Sequence, residues 1–344
     1  MKRLLGGLAV AAAVGLGVRA YLGRRRSMIS TVPPELQHPI LYVPFRLTSR
    51  ILTRAMGLIP TPGAPPVAGV TVDRRVVPGD PPVDVYVYQP SARSLPSGAL
   101  LYIHGGGFVV GHPSTYHAIC SRIAAELGVL VVSVDYRLAL KHPFPAGLED
   151  CFRALQWTHE QPGVDPSRVA VCGDSAGGGL AATLAQMAYD RDVPVCFQAL
   201  IYPMLDDRTV LREDHLGTGG FVWTPPSNRF GWTAYLGHRP AEHEPRPYAA
   251  AARRDDLTGL APAWIGVGDL DLFHQEDVAY AGRLRAAGVP CELVVVPGMY
   301  HGADSFLDGR AASMTAFRAG MIKAIGQAIS SGDPGRRAAA RSAE

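Results

Sequence analysis

The sequence predicts an α/β fold in which helices flank a mostly parallel central sheet. From about Val72 onward, short apolar runs alternate with segments of helical periodicity, a pattern typical of a sheet covered by helices. The later apolar runs lack polar alternation, which indicates parallel strands buried on both faces. With 344 residues, of which 47% are hydrophobic, the chain is long enough to bury one large core. We therefore expect one core domain that carries an insertion.

Seven apolar runs are predicted to form the strands of this sheet. In chain order they read "VDVYVYQP", "ALLYIHG", "VLVVSVDY", "RVAVCGDS", "FQALIYP", "AWIGVGD" and "CELVVVPG". The helical patterns between them read "TYHAICSRIAAELG", "GLEDCFRALQWTHEQ", "GGGLAATLAQMAYDR" and "HQEDVAYAGRLRAAG". No internal repeat is visible in the sequence.

Two segments interrupt the alternation and are predicted to form a cap. Residues 28–60 precede the core, which we assign to residues 61–330, and residues from about 206 to 247 form an insertion within it. The insertion carries the aromatic residues Phe221, Trp223, Phe230, Trp232 and Tyr235. Loops in folds of this class usually have about 2–6 residues, so an aromatic connection of this length indicates a subdomain. We expect the two segments together to cover a site.

Residues 1–27 combine a basic start with an apolar stretch from Leu4 to Val18. This stretch is shorter than the ~20 residues of a spanning helix and suits the core of a signal peptide better. The basic cluster Arg24 to Arg26 that follows it resists translocation. Three interpretations stay open, namely an export signal, a membrane anchor that contacts the bilayer, and an N-terminal helix. A cytoplasmic or membrane-associated location is favoured over secretion, and the tail 331–344 is expected to be flexible.

Charge and cysteine content exclude several classes of function. The net charge is only +3, and the basic residues concentrate near the N-terminus rather than along a groove, so nucleic-acid binding has no support. The five cysteines are scattered and never occur at the spacing of metal ligands, which indicates neither a disulfide framework nor a metal site. The sequence does not indicate an oligomeric state.

A strand-to-helix junction carries the clearest chemical motif. In "RVAVCGDSAGGGLAATLA" a predicted strand passes through Gly173, Asp174, Ser175, Ala176 and Gly177 into a helix of small residues. This matches G-x-S-x-G in the context that a nucleophilic serine requires, because glycines two residues away on either side let the strand and the helix approach closely. The amide of Ala176, at the helix N-terminus, faces a developing oxyanion. We therefore predict that Ser175 is a nucleophile.

A second glycine-rich segment follows an earlier strand. His104, Gly105, Gly106 and Gly107 end the run "LLYIHGGG". A reaction at a nucleophilic serine needs further N–H donors for the same oxygen, and glycines offer backbone amides without side chains in the way. His104 precedes the turn, so we expect it to brace this loop rather than to act as a base.

The nucleophile needs a base, and the base needs an orienting carboxylate. Of the eleven histidines, only His301 lies in a glycine-flanked loop just beyond the last predicted strand, at the sheet edge expected for Ser175. The segment after the penultimate strand supplies four candidate carboxylates, Asp269, Asp271, Glu276 and Asp277. The residue pattern alone leaves the choice among them open.

Taken together, these motifs resemble the hormone-sensitive-lipase-like esterases of the α/β-hydrolase fold. The resemblance covers about Leu100 to Phe306 and rests on "HGGGF", "VVSVDYRLALKHPFPAGLEDC", "GDSAGG", "AYAGRL" and "HG". It implies an α/β-hydrolase core with a helical cap and no metal or organic cofactor. It also implies Ser175 as nucleophile, Asp271 as acid, His301 as base, and an oxyanion hole from Gly106, Gly107 and Ala176, with Gly105 shaping the turn.

Some positions depart from the family pattern or take supporting roles. Leu140 and Lys141 stand where the family has proline and glutamate, which affects only local loop geometry. Asp174 is expected to be a hydrogen-bonding brace beside the nucleophile, and Glu149 is expected to steady the nearby turn.

The resemblance implies hydrolysis of small-molecule carboxylic esters with short to medium acyl chains through an acyl-enzyme. A lipase acting on lipid esters is the nearer alternative, and activation at a lipid interface would distinguish it. A ligand receptor on the same fold is an alternative from a different class. Such a receptor lacks the catalytic histidine, whereas this chain carries all three triad residue types. The identity of the ester is not predicted.

Overall fold

A central sheet of eight strands organises the protein. In this computed structural model the described residues are 17, 19–44, 46–57 and 65–331. The strands are β1 (Val70–Val77), β2 (Val83–Pro90), β3 (Ser97–Ile103), β4 (Leu130–Asp135), β5 (Val164–Asp174), β6 (Phe197–Ile201), β7 (Ala263–Gly268) and β8 (Cys291–Val296). Their order is β1-β2-β4-β3-β5-β6-β7-β8. Only β2 runs against its neighbours among these strands, so the predicted mostly parallel sheet is confirmed.

Helices lie along both faces of the sheet and also above one edge. The helices are α1 (residues 19–29), α2 (Arg50–Gly57), α3 (His117–Leu127), α4 (Ala146–His159), α5 (Ala176–Asp190), α6 (Pro225–Leu236), α7 (His274–Ala286), α8 (Ala303–Leu307) and α9 (Ala312–Ser331). Short 3₁₀ turns occupy Pro34–Leu36, Pro39–Tyr42, Pro113–Tyr116, Asp207–Leu211 and Ala251–Arg253.

Alternate residues of the central strands enter two separate hydrophobic cores. In β3, Leu101 and Ile103 pack with residues of α4, α5 and α7, while Leu100 and Tyr102 pack with residues of α3 and α9 on the other face. Successive side chains of a strand point to opposite faces, so a strand buried on both sides must be apolar throughout. Every residue of β3 is buried, which explains its unbroken apolar run.

Strand β1, the short helix α8 and helix α9 lie outside the core strands and helices that the sequence predicts. Strand β1 is an edge strand of sequence "VTVDRRVV" in which only the end residues Val70 and Val77 are buried, so it lacks an apolar run. Helix α9 follows the last strand and buries one apolar side that includes Met314, Phe317 and Met321. An edge strand stabilised by backbone pairing needs few buried side chains, and here Asp73, Arg74 and Arg75 interrupt the valines, so no continuous apolar run is visible.

Helices α1 and α2 lie in the N-terminal segment and α6 lies in the insertion, the two parts of the chain expected to form a cap. Helix α1 is held on the insertion by Arg25, whose Nη1 donates to the Gly220 carbonyl at 2.8 Å and whose guanidinium lies 4.8 Å from the Phe221 ring centroid. Most of the apolar stretch of residues 1–27, part of the segment 28–60 and the tail from residue 332 lie outside the described residues. Among the helices of the described residues, none has both the length and the apolar character needed to cross a membrane.

The parallel strands place three predicted site residues at one edge of the sheet. Strands β5, β7 and β8 run in the same direction, and Ser175, Asp271 and His301 each follow the carboxyl end of one of them. Ligand sites of open α/β sheets form at this edge.

Candidate active site

Ser175 occupies a strained turn between β5 and α5. Its backbone adopts φ 56° and ψ −118°, which is uncommon for a residue with a side chain, and its amide donates to the Ile201 carbonyl at 2.8 Å. A β-carbon on Gly177 would lie 2.1 Å from the Ile103 carbonyl oxygen, so only glycine allows α5 to begin this close to β3. The turn therefore raises the Ser175 side chain above the sheet edge, as the motif predicts.

The structure places His301 between Ser175 and Asp271. His301 Nε2 lies 2.9 Å from Ser175 Oγ, and His301 Nδ1 lies 2.8 Å from Asp271 Oδ2. An ionised carboxylate only accepts hydrogen bonds, so Nδ1 carries the donated proton and Nε2 accepts from the serine hydroxyl. Asp271 is 1% exposed and is fixed by the Phe273 amide, which donates to its Oδ1 at 3.0 Å. The three side chains form one continuous hydrogen-bonded chain.

Ser175 and Asp271 occupy the two ring nitrogens of His301, so the other three candidate carboxylates do not bond to the imidazole. Asp269 accepts a hydrogen bond from the Gly298 amide at 2.6 Å. Glu276 accepts from the Leu205 amide at 2.7 Å, and burial raises its pKa to about 8. Burial raises the pKa of Asp277 well above its usual range. Asp271 is thus the carboxylate that the structure brings to His301, as the family resemblance implies.

The segment from His104 to Gly107 arranges backbone amides beside the nucleophile. The Gly105 amide donates to Tyr116 Oη at 3.0 Å. This hydrogen bond stabilises the shape of the loop, so the Gly105 amide does not face the substrate. Gly106 has φ 126°, a conformation that only glycine adopts readily, and its carbonyl accepts from the loop amides that follow. Within the described residues the amides of Gly106, Gly107 and Ala176 have no hydrogen-bond acceptor. They are therefore free to bind an oxyanion.

His104 is fully buried and fixes the loop. Its Nδ1 lies 2.8 Å from the Gly105 carbonyl oxygen, and its ring stacks on Tyr136 with centroids 4.3 Å apart. Burial lowers the pKa of His104 to about 4, so the imidazole is neutral at neutral pH. These contacts match a bracing role and leave His104 away from the chain that joins Ser175 to Asp271.

The structure corrects the expectation for Glu149. Its side chain is 56% exposed, and its carboxylate lies 3.8 Å from Arg137, a weak surface pair. The adjacent Asp150 is buried instead and accepts from the Arg137 amide at 2.9 Å, from Arg137 Nε at 2.8 Å and from Arg153 at 2.6 Å. The reason is helical geometry, since consecutive residues of α4 face different directions and only Asp150 faces inward.

Asp174 lies buried directly before the nucleophile. Its Oδ1 accepts from the Tyr102 hydroxyl at 2.6 Å, and its Oδ2 accepts from Arg318 Nη2 at 3.0 Å. Asp174 therefore braces the nucleophile turn from below. Its carboxylate oxygens are engaged by these two donors, so it is not placed to accept from His301.

Aromatic side chains surround the hydrogen-bonded triad. The rings of Tyr202 and Phe273 meet the His301 ring edge-on, with centroids 4.8 and 5.4 Å apart. Trp223, from the insertion, covers the glycine loop so closely that a β-carbon on Gly107 would lie 2.1 Å from its ring. Ser175 is only 6% exposed as a result. The insertion thus supplies an aromatic ring next to the glycine loop, 6.2 Å from the His301 ring centroid.

Several of these contacts could not be identified in the sequence. Tyr116, Asp150 and Arg318 belong to ordinary helical or loop patterns, and nothing in their neighbours indicates the long-range partner. A buried arginine on the apolar side of α9 is the one detectable signal, because a lone charge in an apolar stripe needs a buried counter-charge. Within the part of the chain that the structure describes, no cluster of three or more potential metal ligands occurs.

Comparisons with known proteins agree with this geometry. Residues 100–305 match a family model described as an alpha/beta hydrolase fold. The chain is 39% identical over 246 residues to Carboxylesterase NlhH of Mycobacterium tuberculosis, which covers 66% of this chain and 72% of the relative. It is 34% identical over 227 residues to Ethyl acetate hydrolase of Pseudomonas putida, covering 64% and 70%. 

A solved structure titled Bacterial Heroin Esterase superposes with a TM-score of 0.76 and 35% identity, over 88% of this chain and 99% of that chain. The predicted α/β-hydrolase fold is confirmed by the family match and by this superposition. The chain belongs to the carboxylic ester hydrolases of the hormone-sensitive-lipase-like family.

Proposed function

We propose that the protein hydrolyses carboxylic esters with short to medium acyl chains through an acyl-enzyme on Ser175. One observation carries the proposal, namely the chain of hydrogen bonds from Ser175 Oγ through the His301 imidazole to Asp271 at 2.9 and 2.8 Å. This arrangement suits nucleophilic catalysis because the serine proton has an acceptor in place and the imidazole is oriented by a buried carboxylate.

In the acylation half, His301 Nε2 takes the proton of Ser175 as Oγ attacks the ester carbonyl carbon. The carbonyl oxygen becomes an oxyanion, and the amides of Gly106, Gly107 and Ala176 stabilise it. Asp271 stabilises the imidazolium and keeps its proton on Nδ1. When the tetrahedral intermediate collapses, His301 donates its Nε2 proton to the alcohol oxygen, and the alcohol leaves.

In the deacylation half, a water molecule takes the place of the alcohol. His301 removes a proton from this water, whose oxygen attacks the acyl carbon, and the same amides receive the second oxyanion. Collapse of this intermediate releases the carboxylic acid and returns the proton to Ser175 Oγ. No group outside this chain and the solvent is needed to balance the reaction.

The covered site supports a limit on acyl length. Trp223 lies over Gly107, and Tyr202 and Phe273 flank His301, so a substrate must fit beneath aromatic side chains. Two of the similar proteins, Ethyl acetate hydrolase and Bacterial Heroin Esterase, are named after an ester of acetic acid and after a small drug molecule. Both observations favour small soluble esters over emulsified lipid.

The two aspartates beyond β7 provide a matched test of the triad. We expect Asp271→Asn to lower kcat on a soluble ester by about 10²–10⁴-fold, because asparagine presents the wrong hydrogen-bond partner to the imidazole. Asp269→Asn should change kcat less than about tenfold, because Asp269 bonds to the Gly298 amide instead. Circular dichroism checks that both variants are folded, and the reverse ranking would remove Asp271 from the proposed mechanism.

The preference of the enzyme for acyl-chain length should depend on Trp223. Rates on p-nitrophenyl esters are expected to fall as the acyl chain grows beyond a medium length, and Trp223→Ala should raise the ratio of decanoate to butyrate kcat/KM by about tenfold or more. Trp157→Ala, in α4 and partly buried away from the site, is the control and should leave the ratio unchanged. Wild-type hydrolysis of emulsified triolein as fast as a butyrate ester would favour the lipase alternative.

We also propose that the N-terminal segment attracts the protein to anionic membrane surfaces. Arg19, Arg24 and Arg26 are exposed on α1, directly after the apolar stretch of the sequence, whereas Arg25 is bound to the insertion. Each basic residue near an anionic bilayer contributes about 1 kcal/mol to binding.

Replacing Arg19, Arg24 and Arg26 by glutamine should therefore weaken co-sedimentation with phosphatidylglycerol vesicles by about 100-fold. Activity on soluble esters should persist, because Arg25 and the docking of α1 are retained. Phosphatidylcholine vesicles are the control. Equal binding of the full chain and the variant to both vesicle types would contradict an electrostatic membrane role.

A further inference from the structure

Arg318, on the C-terminal helix α9, bridges two buried carboxylates. Its Nη2 donates to Asp174 Oδ2 at 3.0 Å, and its Nε forms a close ion pair with Asp304 Oδ2. The side chains of Arg318, Asp174 and Asp304 are 5, 2 and 0% exposed. Taking three charged groups out of water is unfavourable unless they pair, and an apolar replacement is often as stable. Stability alone is therefore a weak reason for this arrangement.

The positions of the two carboxylates suggest another reason for burying this ion-pair network. Asp174 is the residue before Ser175, and Asp304 lies three residues after His301, at the start of α8. Strands β5 and β8, which carry these two loops, are separated in the sheet by β6 and β7. Backbone pairing fixes the spacing of the strands, but each loop extends beyond the last paired residue. Arg318 connects the two loops directly.

The same network reaches the glycine loop. Asp174 Oδ1 accepts from the Tyr102 hydroxyl at 2.6 Å, and the Tyr102 ring packs against Tyr116 with centroids 5.5 Å apart. Tyr116 Oη in turn accepts the amide of Gly105 at 3.0 Å. A shift of Asp174 would therefore also move the glycine loop, whose amides are expected to bind the oxyanion.

We propose that Arg318 is a positioning residue. It holds the turn at Ser175 (the nucleophile turn) and the loop that carries His301 (the base loop) at the separation required for the Ser175–His301 hydrogen bond. The inference rests on the proposed serine mechanism. The planar guanidinium suits this role because its donors leave in fixed directions and engage two acceptors at once. A lysine ammonium at the same position keeps the charge but lacks this planar set of N–H donors, which we call the guanidinium fork.

A purely structural role for Arg318 makes a different prediction. If the network only anchors α9 to the sheet, loss of the fork lowers Tm, and the fraction that stays folded works normally. If it positions the reacting groups, kcat falls in fully folded protein while KM changes little, since Arg318 is buried against Asp174 and Asp304 and is not exposed to a substrate. Displacement of a catalytic group by about 1 Å is enough to lower the rate by about 10²-fold.

The chain supplies a matched control in another buried pair. Arg253 donates from Nε and Nη2 to the two oxygens of Asp207 at 2.6 and 2.9 Å, and Asp207 is fully buried. This pair ties the connection after β6 to the 3₁₀ turn at Ala251–Arg253 and contacts neither Ser175 nor His301. Arg253→Lys therefore removes a comparable buried fork elsewhere in the fold.

The experiment measures Tm, kcat and KM on a soluble ester for wild type, Arg318→Lys and Arg253→Lys, well below the Tm of each. We expect both variants to lose several degrees of Tm. Arg318→Lys should lower kcat by about 10- to 100-fold with KM within about twofold. Arg253→Lys should keep kcat within about twofold. Equal kcat values for the two variants would overturn the proposal.

Asp304→Asn is a second variant that keeps the side-chain shape and removes only the charge next to the base loop, with Asp207→Asn as its control. A fall in kcat for Asp304→Asn, but not for Asp207→Asn, supports the proposal even if Arg318→Lys does not fold. Unchanged kcat for a folded Asp304→Asn overturns it. If wild type shows no esterase activity, the proposed function fails, and the role of Arg318 fails with it. If wild type is active and the variants match it, only the inference about Arg318 fails.

Discussion

The hydrogen bond between Ser175 Oγ and His301 Nε2 is the interaction on which the rest of the site depends. The two residues are 126 positions apart in the sequence and follow different strands, so no local structure holds them together. The parallel direction of β5 and β8 brings both to one edge of the sheet, and Asp271 orients the imidazole from the end of β7. The 2.9 Å contact therefore forms only if the sheet, the turns and the loops beyond them hold both side chains in position.

The protein maintains this contact with features that are unfavourable in isolation. Ser175 has a strained backbone, Gly106 adopts a conformation open only to glycine, and Arg318 is buried with its carboxylate partners. Strain and buried charge persist only where the surrounding structure over-determines them. The two large cores on either face of the sheet supply that surrounding structure. Stability gained in the cores thus supports rigidity at the sheet edge.

The sequence predicts the parts of the site that depend on short-range constraints. Ser175 and the loop at His104 lie in motifs whose glycines are required by close backbone approach, so the pattern is visible in a few adjacent residues. Choosing Asp271 over Asp269 required the family resemblance, because both follow the same strand. The turn after β7, in which the Asp271 amide donates to the Gly268 carbonyl at 3.2 Å, separates their directions but is not encoded in the two residue types.

The features missed in the sequence share a different physical origin. Edge strand β1 is stabilised by backbone pairing, which leaves no apolar pattern. The inward direction of Asp150, rather than Glu149, depends on the phase of α4 against Arg137. The link from Arg318 to Asp174 spans 144 residues. Such partners are set by tertiary packing, so only the assembled structure identifies them.

In the proposed mechanism, Ser175 attacks the ester while the amides of Gly106, Gly107 and Ala176 hold the oxyanion. A crystal structure of the protein inactivated with a p-nitrophenyl alkylphosphonate tests this most directly, because the adduct resembles the tetrahedral intermediate. We predict a bond from phosphorus to Ser175 Oγ, with the phosphoryl oxygen about 2.7–3.1 Å from those amide nitrogens. An adduct on another residue, or a phosphoryl oxygen directed away from the glycine loop, would contradict the account.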